Sequence, residues 1–108
     1  MRYLSLDVAG IRDIAAMKVD AIASRGAKRD FIDLYFICQS GYTLRDLFGF
    51  YDQRYGRLAS NLIHIQKSLI YFEDAQKDPM PRMLKEVAWE DVKRYLVNEV
   101  KKNGPIAL

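Results

Sequence analysis

The stretch AKRDFIDLYFICQS, residues 27–40, constrains the fold more than any other part of this 108-residue chain. Drawn as a helix from about Asp30 to Ser40, it points Phe31, Ile32, Leu34, Tyr35, Phe36, Ile37 and Cys38 in nearly every direction. Only the sector holding Asp30 and Asp33 is polar. A helix that is apolar on almost all sides is a buried helix, so other elements must wrap around this one. Its two carboxylates must then open onto a cleft or meet cations, because a buried charge without a partner is costly.

The preceding segment supplies cations. From Ile11 to about Ser24 the apolar period is helical, with Ile11, Ile14, Ala15, Lys18, Ile22 and Arg25 on one face and Asp13, Asp20 and Ser24 on the other. Gly26 ends this helix. Lys18 lies among Ile14, Ala15 and Ile22, where a purely structural helix would carry Leu. The expectation is that the two helices pack with Lys18, Arg25 and Arg29 facing Asp30 and Asp33 in a shared polar seam. Simpler readings stand beside it. Asp30 at a helix start can cap free N–H groups. Lys18 can run its stem over apolar surface with the ammonium in water, or a single salt bridge can do no more than fix helix register.

Around this pair the fold class reads as mainly α, a compact bundle of about five helices preceded by one short β-strand, in a single domain over residues 1–108. Residues 2–8 alternate as a strand does, and this orphan strand (residues 1–9) has no second strand to pair with. Thr43 with Asp46 resembles a capping box opening a third helix that runs to about Tyr55. A fourth runs from about Ala59 to Ala75 on Leu62, Ile65, Leu69 and Phe72. Pro79 and Pro81 place a loop after it. Trp89, Val92, Leu96 and Val100 mark a last helix that stops before a tail at residues 103–108.

Composition excludes more than it selects. Half the residues are apolar and the net charge is +3. Residues 1–54 hold 8 basic and 7 acidic side chains and residues 55–108 hold 9 and 7, so neither half is a basic arm for nucleic acid. Arg25, Lys28 and Arg29 around Gly26 read as a solvated loop. No apolar run approaches the roughly 20 residues that span a bilayer, and no membrane association is expected. A single cysteine, Cys38, cannot pair internally and points to a reducing compartment, the cytoplasm. His64, within the fourth helix, reads as a packed or surface histidine. No Cys/His spacing suggests zinc. The aromatics Tyr35, Phe36, Tyr42, Phe48, Phe50, Tyr51, Tyr55, Tyr71 and Phe72 read as core at helical spacing rather than as a stacking surface for bases.

The stretch DIAAMKVDAIASRGAKRDFIDLYF resembles the motif pair K-x-x-A-I-x-x-R…R-D-x-x-D-L of the AbiEii-type nucleotidyltransferases, toxin components of bacterial abortive-infection and type IV toxin–antitoxin systems. SLIYFEDAQKDPMPRML…WEDVKRYL resembles the tail of many members, so the similarity covers nearly the whole chain. The resemblance implies a nucleotidyltransferase core followed by a helical C-terminal domain, and transfer of a nucleotide from a triphosphate to an RNA acceptor. It implies Lys18 as a phosphate contact, Arg25 and Arg29 as accompanying phosphate-binding arginines, and Asp33 and Asp30 as the two candidate catalytic carboxylates. Mg2+ and a nucleoside triphosphate are implied for the intact family. The family carries its metal-binding carboxylates in a G-S motif followed by D-x-D, and this sequence has neither. The expectation is therefore the C-terminal portion of such an enzyme, with no cofactor of its own and inactive alone. Its partners would be a missing N-terminal half or an antitoxin-like protein. The alternative is a non-catalytic module that binds a partner, associates with itself or holds RNA weakly.

Overall fold

The computed structural model describes residues 8–80 and 87–103, and all structural statements below concern these residues. The chain forms α1 (Val8–Ser24), α2 (Lys28–Gln39), α3 (Leu44–Tyr55), α4 (Leu58–Leu69), the single-turn α5 (Glu73–Gln76) and α6 (Trp89–Asn103). The helix α1 is central: α2, α3 and α4 all pack on it, and α6 closes the bundle against α2, α3 and α4. This position explains why Ala16 and Val19 are buried as well as the face read from the sequence, Ile11, Ala15 and Ile22. The second helix is as deeply set as its composition demands, with Phe31, Ile32, Leu34, Phe36, Ile37 and Cys38 all buried. Burying each of its large side chains contributes about 1.5–3 kcal/mol.

Helix ends follow local chemistry where the local signal is strong. Asp46 N–H donates to Thr43 Oγ1 at 3.1 Å and Thr43 N–H to Asp46 Oδ2 at 2.9 Å, so the capping box is complete. Gly26, at φ +76°, lets Arg25 and Gly26 both donate to the carbonyl of Ala21 and turns the chain into α2. The start of α2 is different. Ala27 offers no side-chain cap, and the Lys28 N–H is instead accepted by Asp78 Oδ2 at 2.9 Å, from 50 residues away. Asp30 is therefore not the N-cap but lies inside the first turn, where it still favours the helix dipole.

Three expectations change. The strand at residues 2–7 lies outside the described residues, but Val8 and Ala9, which the 1–9 strand included, are helical, and no strand occurs among the described residues. Val8 stands three residues before Ile11, so its position fits the helical period as well as the alternating one. The fourth helix does not run on to Ala75. Ile70 N–H and Tyr71 N–H each bond three residues back, to Lys67 and Ser68, tightening the last turn and ending α4 at Leu69. No Gly or Pro marks this break. Tertiary packing makes it, because the turn carries the Phe72 ring to 5.3 Å from Phe31 and 5.8 Å from Trp89, all edge-to-face. The last helix includes Asn103, one residue beyond the sequence boundary, and the tail at 104–108 lies outside the described residues.

The aromatic side chains are mostly core or packed against it, Phe36, Phe48 and Tyr51 being buried. Tyr71 is the exception, exposed on the surface. Cys38 is also buried, and its thiol is pushed up to about 11 by burial, against which a hydrogen bond with Tyr95 works in the other direction. No helix among the described residues is long and apolar enough to cross a membrane.

Two substitutions test this packing. A Cβ on Gly26 would sit 3.2 Å from the Phe31 ring on a left-handed backbone, so Gly26→Ala is expected to cost about 1–2 kcal/mol. Thermal denaturation should then show a fall of roughly 5–15 °C in Tm. Gln66 is buried with neither Nε2 nor Oε1 hydrogen-bonded. Replacing it by Met keeps the volume and removes the unpaired amide, and urea denaturation should show a gain of about 1–3 kcal/mol.

Candidate functional site

The charged residues that sequence placed on apolar faces meet where α1 crosses α2. Lys18 Nζ lies 2.9 Å from Asp33 Oδ2 and 3.3 Å from Asp30 Oδ1. The helical period explains the arrangement: Asp30 and Asp33 are three apart and share a face of α2. Lys18 points toward that face from the apolar stripe of α1. The three side chains are between 19% and 24% exposed, neither sealed in the core nor fully hydrated. They form one wall of a cleft of about 400 Å3, whose other wall is Ile14, Met17 and Ala21. Met17 is 49% exposed at its rim.

Burial pulls the Lys18 ammonium down, but the hydrogen bond to Asp33 and the charges of Asp33 and Asp30 outweigh it, and the net displacement is upward. Lysine has three N–H donors. Two are accepted by Asp33 and Asp30, which leaves one for a group entering the cleft. The cluster of one cation and two carboxylates carries a net charge of −1.

Arg25 and Arg29 do not join this seam. Both are exposed, neither lines the cleft, and neither makes an ion pair with Asp30 or Asp33. The wheel that put Arg25 on the face of Lys18 ends at Ser24, and the turn at Gly26 carries the arginine away. Lys28 departs from its reading in the opposite sense. It is not part of a solvated loop but buried in the first turn of α2, its ammonium 5.1 Å from the centre of the Trp89 ring. Lys93 lies 5.8 Å from the same ring, and Trp89 Nε1 donates to Gln76 at 2.8 Å. Sequence reasoning missed this anchor, and Lys28 carries no local sign that an aromatic 61 residues later would cover it. His64 is a surface residue whose Nε2 lies 2.8 Å from the carbonyl of Ala23, closing off the C-terminus of α1.

No group of three or more His, Cys, Asp or Glu side chains among the described residues is placed to hold a metal ion. Asp30 and Asp33 already share an ammonium, which occupies the position a divalent cation would need. These residues do not fit Mg2+.

α1 and α2 thus bring Lys18, Asp30 and Asp33 together at the edge of one cleft. The family model described as nucleotidyl transferase AbiEii toxin, type IV toxin–antitoxin system, matches residues 2–103. The chain belongs to that family. An uncharacterized protein of Aquifex aeolicus (strain VF5) is 38% identical over 99 residues, which is 91% of this chain and 46% of that protein. The chain thus spans about half the length of the curated relative it matches. No solved structure matches it.

The ion pair has a pH signature. A lysine whose folded pKa is raised contributes stability that is fully present below its ordinary value of 10.5 and is lost as pH rises through the folded value. Lys18→Met is expected to cost about 1–2 kcal/mol at neutral pH. The gap between wild type and variant should stay level from mildly acidic to mildly alkaline pH and close above 10.5 in urea-unfolding measurements. A gap that is flat across that point would remove the ion pair from the account.

Proposed function

We propose that this domain provides the lysine–carboxylate part of a nucleotidyl-transfer site. Lys18 offers its third N–H to a phosphate oxygen of a nucleoside triphosphate, and Asp33, the nearer carboxylate, orients the lysine and serves the acceptor hydroxyl as a base. Asp30 holds the ammonium from the other side. Arg25 and Arg29, both exposed, would reach the triphosphate only from outside the cleft. One observation carries this reading: Lys18 bridges Asp30 and Asp33 at the edge of an open cleft, in a chain whose family is defined as nucleotidyl transferases.

Charge sets what the site needs. An ammonium shared between two carboxylates offers little positive field to a triphosphate, and phosphoryl transfer depends on charge neutralisation that further cations would supply. The sequence holds no G-S pair and no D-x-D, the motifs that would gather a metal ion. We therefore read the chain as inactive by itself and active beside a segment that carries those motifs. An antitoxin is its expected protein partner, in keeping with its family. The alternative, a module that only binds a partner, leaves Lys18 and Asp33 as a register-fixing pair.

The test is reconstitution. The chain is mixed with the part of the Aquifex aeolicus relative that lies outside the matched region, together with Mg2+, labelled nucleoside triphosphates and total RNA. Labelled RNA should form only in the mixture, and Lys18→Ala and Asp33→Asn should each lower the rate by about 100-fold or more. Labelling that is unaffected by either substitution would assign the pair to structure alone.

A further inference from the structure

Two helices of this bundle carry an aspartate at the same place in their first turn, and the two carboxylates are used differently. Asp46 stands three residues after the N-cap Thr43 and turns back to accept the Thr43 N–H at 2.9 Å. Asp30 stands three residues after Ala27, the N-cap of α2, yet its carboxylate reaches across to Lys18 at 3.3 Å. An acidic side chain at this position ordinarily bonds the open amides of its own helix. The start of α2 invites that bond, because Ala27 has no side-chain acceptor and its backbone is extended, as at Thr43. What distinguishes α2 is Asp78, whose Oδ2 accepts the Lys28 N–H at 2.9 Å. Asp78 is itself held at the end of α5, where its N–H donates to the carbonyl of the buried Ala75 at 3.0 Å. Lys28 is fixed a second time through its ammonium, which lies over the Trp89 ring, and Trp89 in turn donates to Gln76.

We propose that Asp78 is a positioning residue for the Lys18 cleft: by capping α2 from a distance, it leaves Asp30 turned toward Lys18 instead of back onto its own helix. Charge works in the same direction. A carboxylate at the start of α2 offsets the positive end of the helix dipole, so that end pulls less on Asp30 while Asp78 is in place. Without Asp78, the carboxylate nearest in sequence to the amides that open α2 is Asp30 itself. Asp33, one turn further along, is out of reach of those amides and keeps its 2.9 Å contact with Lys18. The ammonium is then held from one side only and is less narrowly aimed. What Asp78 does for nucleotide transfer rests on the reading proposed above, whereas its hold on Asp30 is measurable with no reaction running.

NMR on the whole chain at neutral pH reads both effects. In Asp78→Ala the Lys28 amide should exchange with solvent about tenfold faster or more. The cross-peak between the Lys18 ε-protons and the Asp30 β-protons should lose most of its intensity, while that to Asp33 persists. Asp30 should gain a cross-peak to the Ala27 amide. Asp78→Asn, which keeps an acceptor oxygen, should restore the contact between Asp30 and Lys18. Adding Ala27→Ser to Asp78→Ala gives α2 a local cap. Thermal denaturation should then show stability recovered, with Asp30 still on its own helix and its contact with Lys18 still lost. Recovery of that contact together with stability would overturn the proposal, for Asp78 would then act on stability alone. An unchanged Asp30 contact in Asp78→Ala, loss of both carboxylate contacts together, or failure of Asp78→Asn to restore what Asp78→Ala removes would overturn it as well. If Asp78→Ala alone does not fold, the double variant decides.

Discussion

The contact between the Lys18 ammonium and the carboxylates of Asp33 and Asp30 governs how the two innermost helices can pack. Without it, α2 would bring two partly buried carboxylates against the apolar stripe of α1 with no ammonium to offset their desolvation. With it, the charges specify one register, because sliding either helix by a residue would part groups that lie 2.9 and 3.3 Å apart. The apolar residues around α2 make the packing strong, and the ion pair makes it unique. The cost is a polar opening in the wall of the bundle, which is the cleft itself.

The same contact limits what the cleft can do. An ammonium between two carboxylates is anchored and oriented, with little positive field left to reach into solvent. It suits a group that must be in the right place when a phosphate is delivered by other cations, and suits poorly a group that must attract one from a distance. Arg25 has the opposite character, for it is exposed and makes no ion pair with a carboxylate among the described residues. Thus α1 carries a neutralised lysine and is followed, just past its end, by an arginine whose field is not cancelled by an ion pair.

Much of this was legible in the residues before coordinates. The all-round apolar sequence of α2, the Thr43–Asp46 box and the glycine at position 26 each carry their own physical reason, and each appears as read. Lys18 with Asp30 and Asp33 was legible because a charge on an apolar stripe needs a partner of opposite sign on its neighbour. Arg25 and Arg29 were misplaced because a helical wheel has no meaning past the end of the helix. The break after Leu69 left no trace, for Ile70, Tyr71 and Phe72 contain no Gly or Pro, and the reward for breaking is the ring contact with Phe31 and Trp89. Lys28 under Trp89 and Asp78 on the Lys28 amide were equally hidden, since both join residues far apart in sequence.

The borrowed cap on α2 bears on how the protein is made. A helix whose first amide waits for a side chain 50 positions later gains that hydrogen bond only when most of the polypeptide has emerged and docked. A ribosome-bound chain that has released Lys18, Asp30 and Asp33 already holds every atom of the cluster, yet the helix that aims two of them still lacks its distant anchor. Completion of α2, and with it one wall of the cleft, is thereby tied to the docking of the segment that carries Asp78.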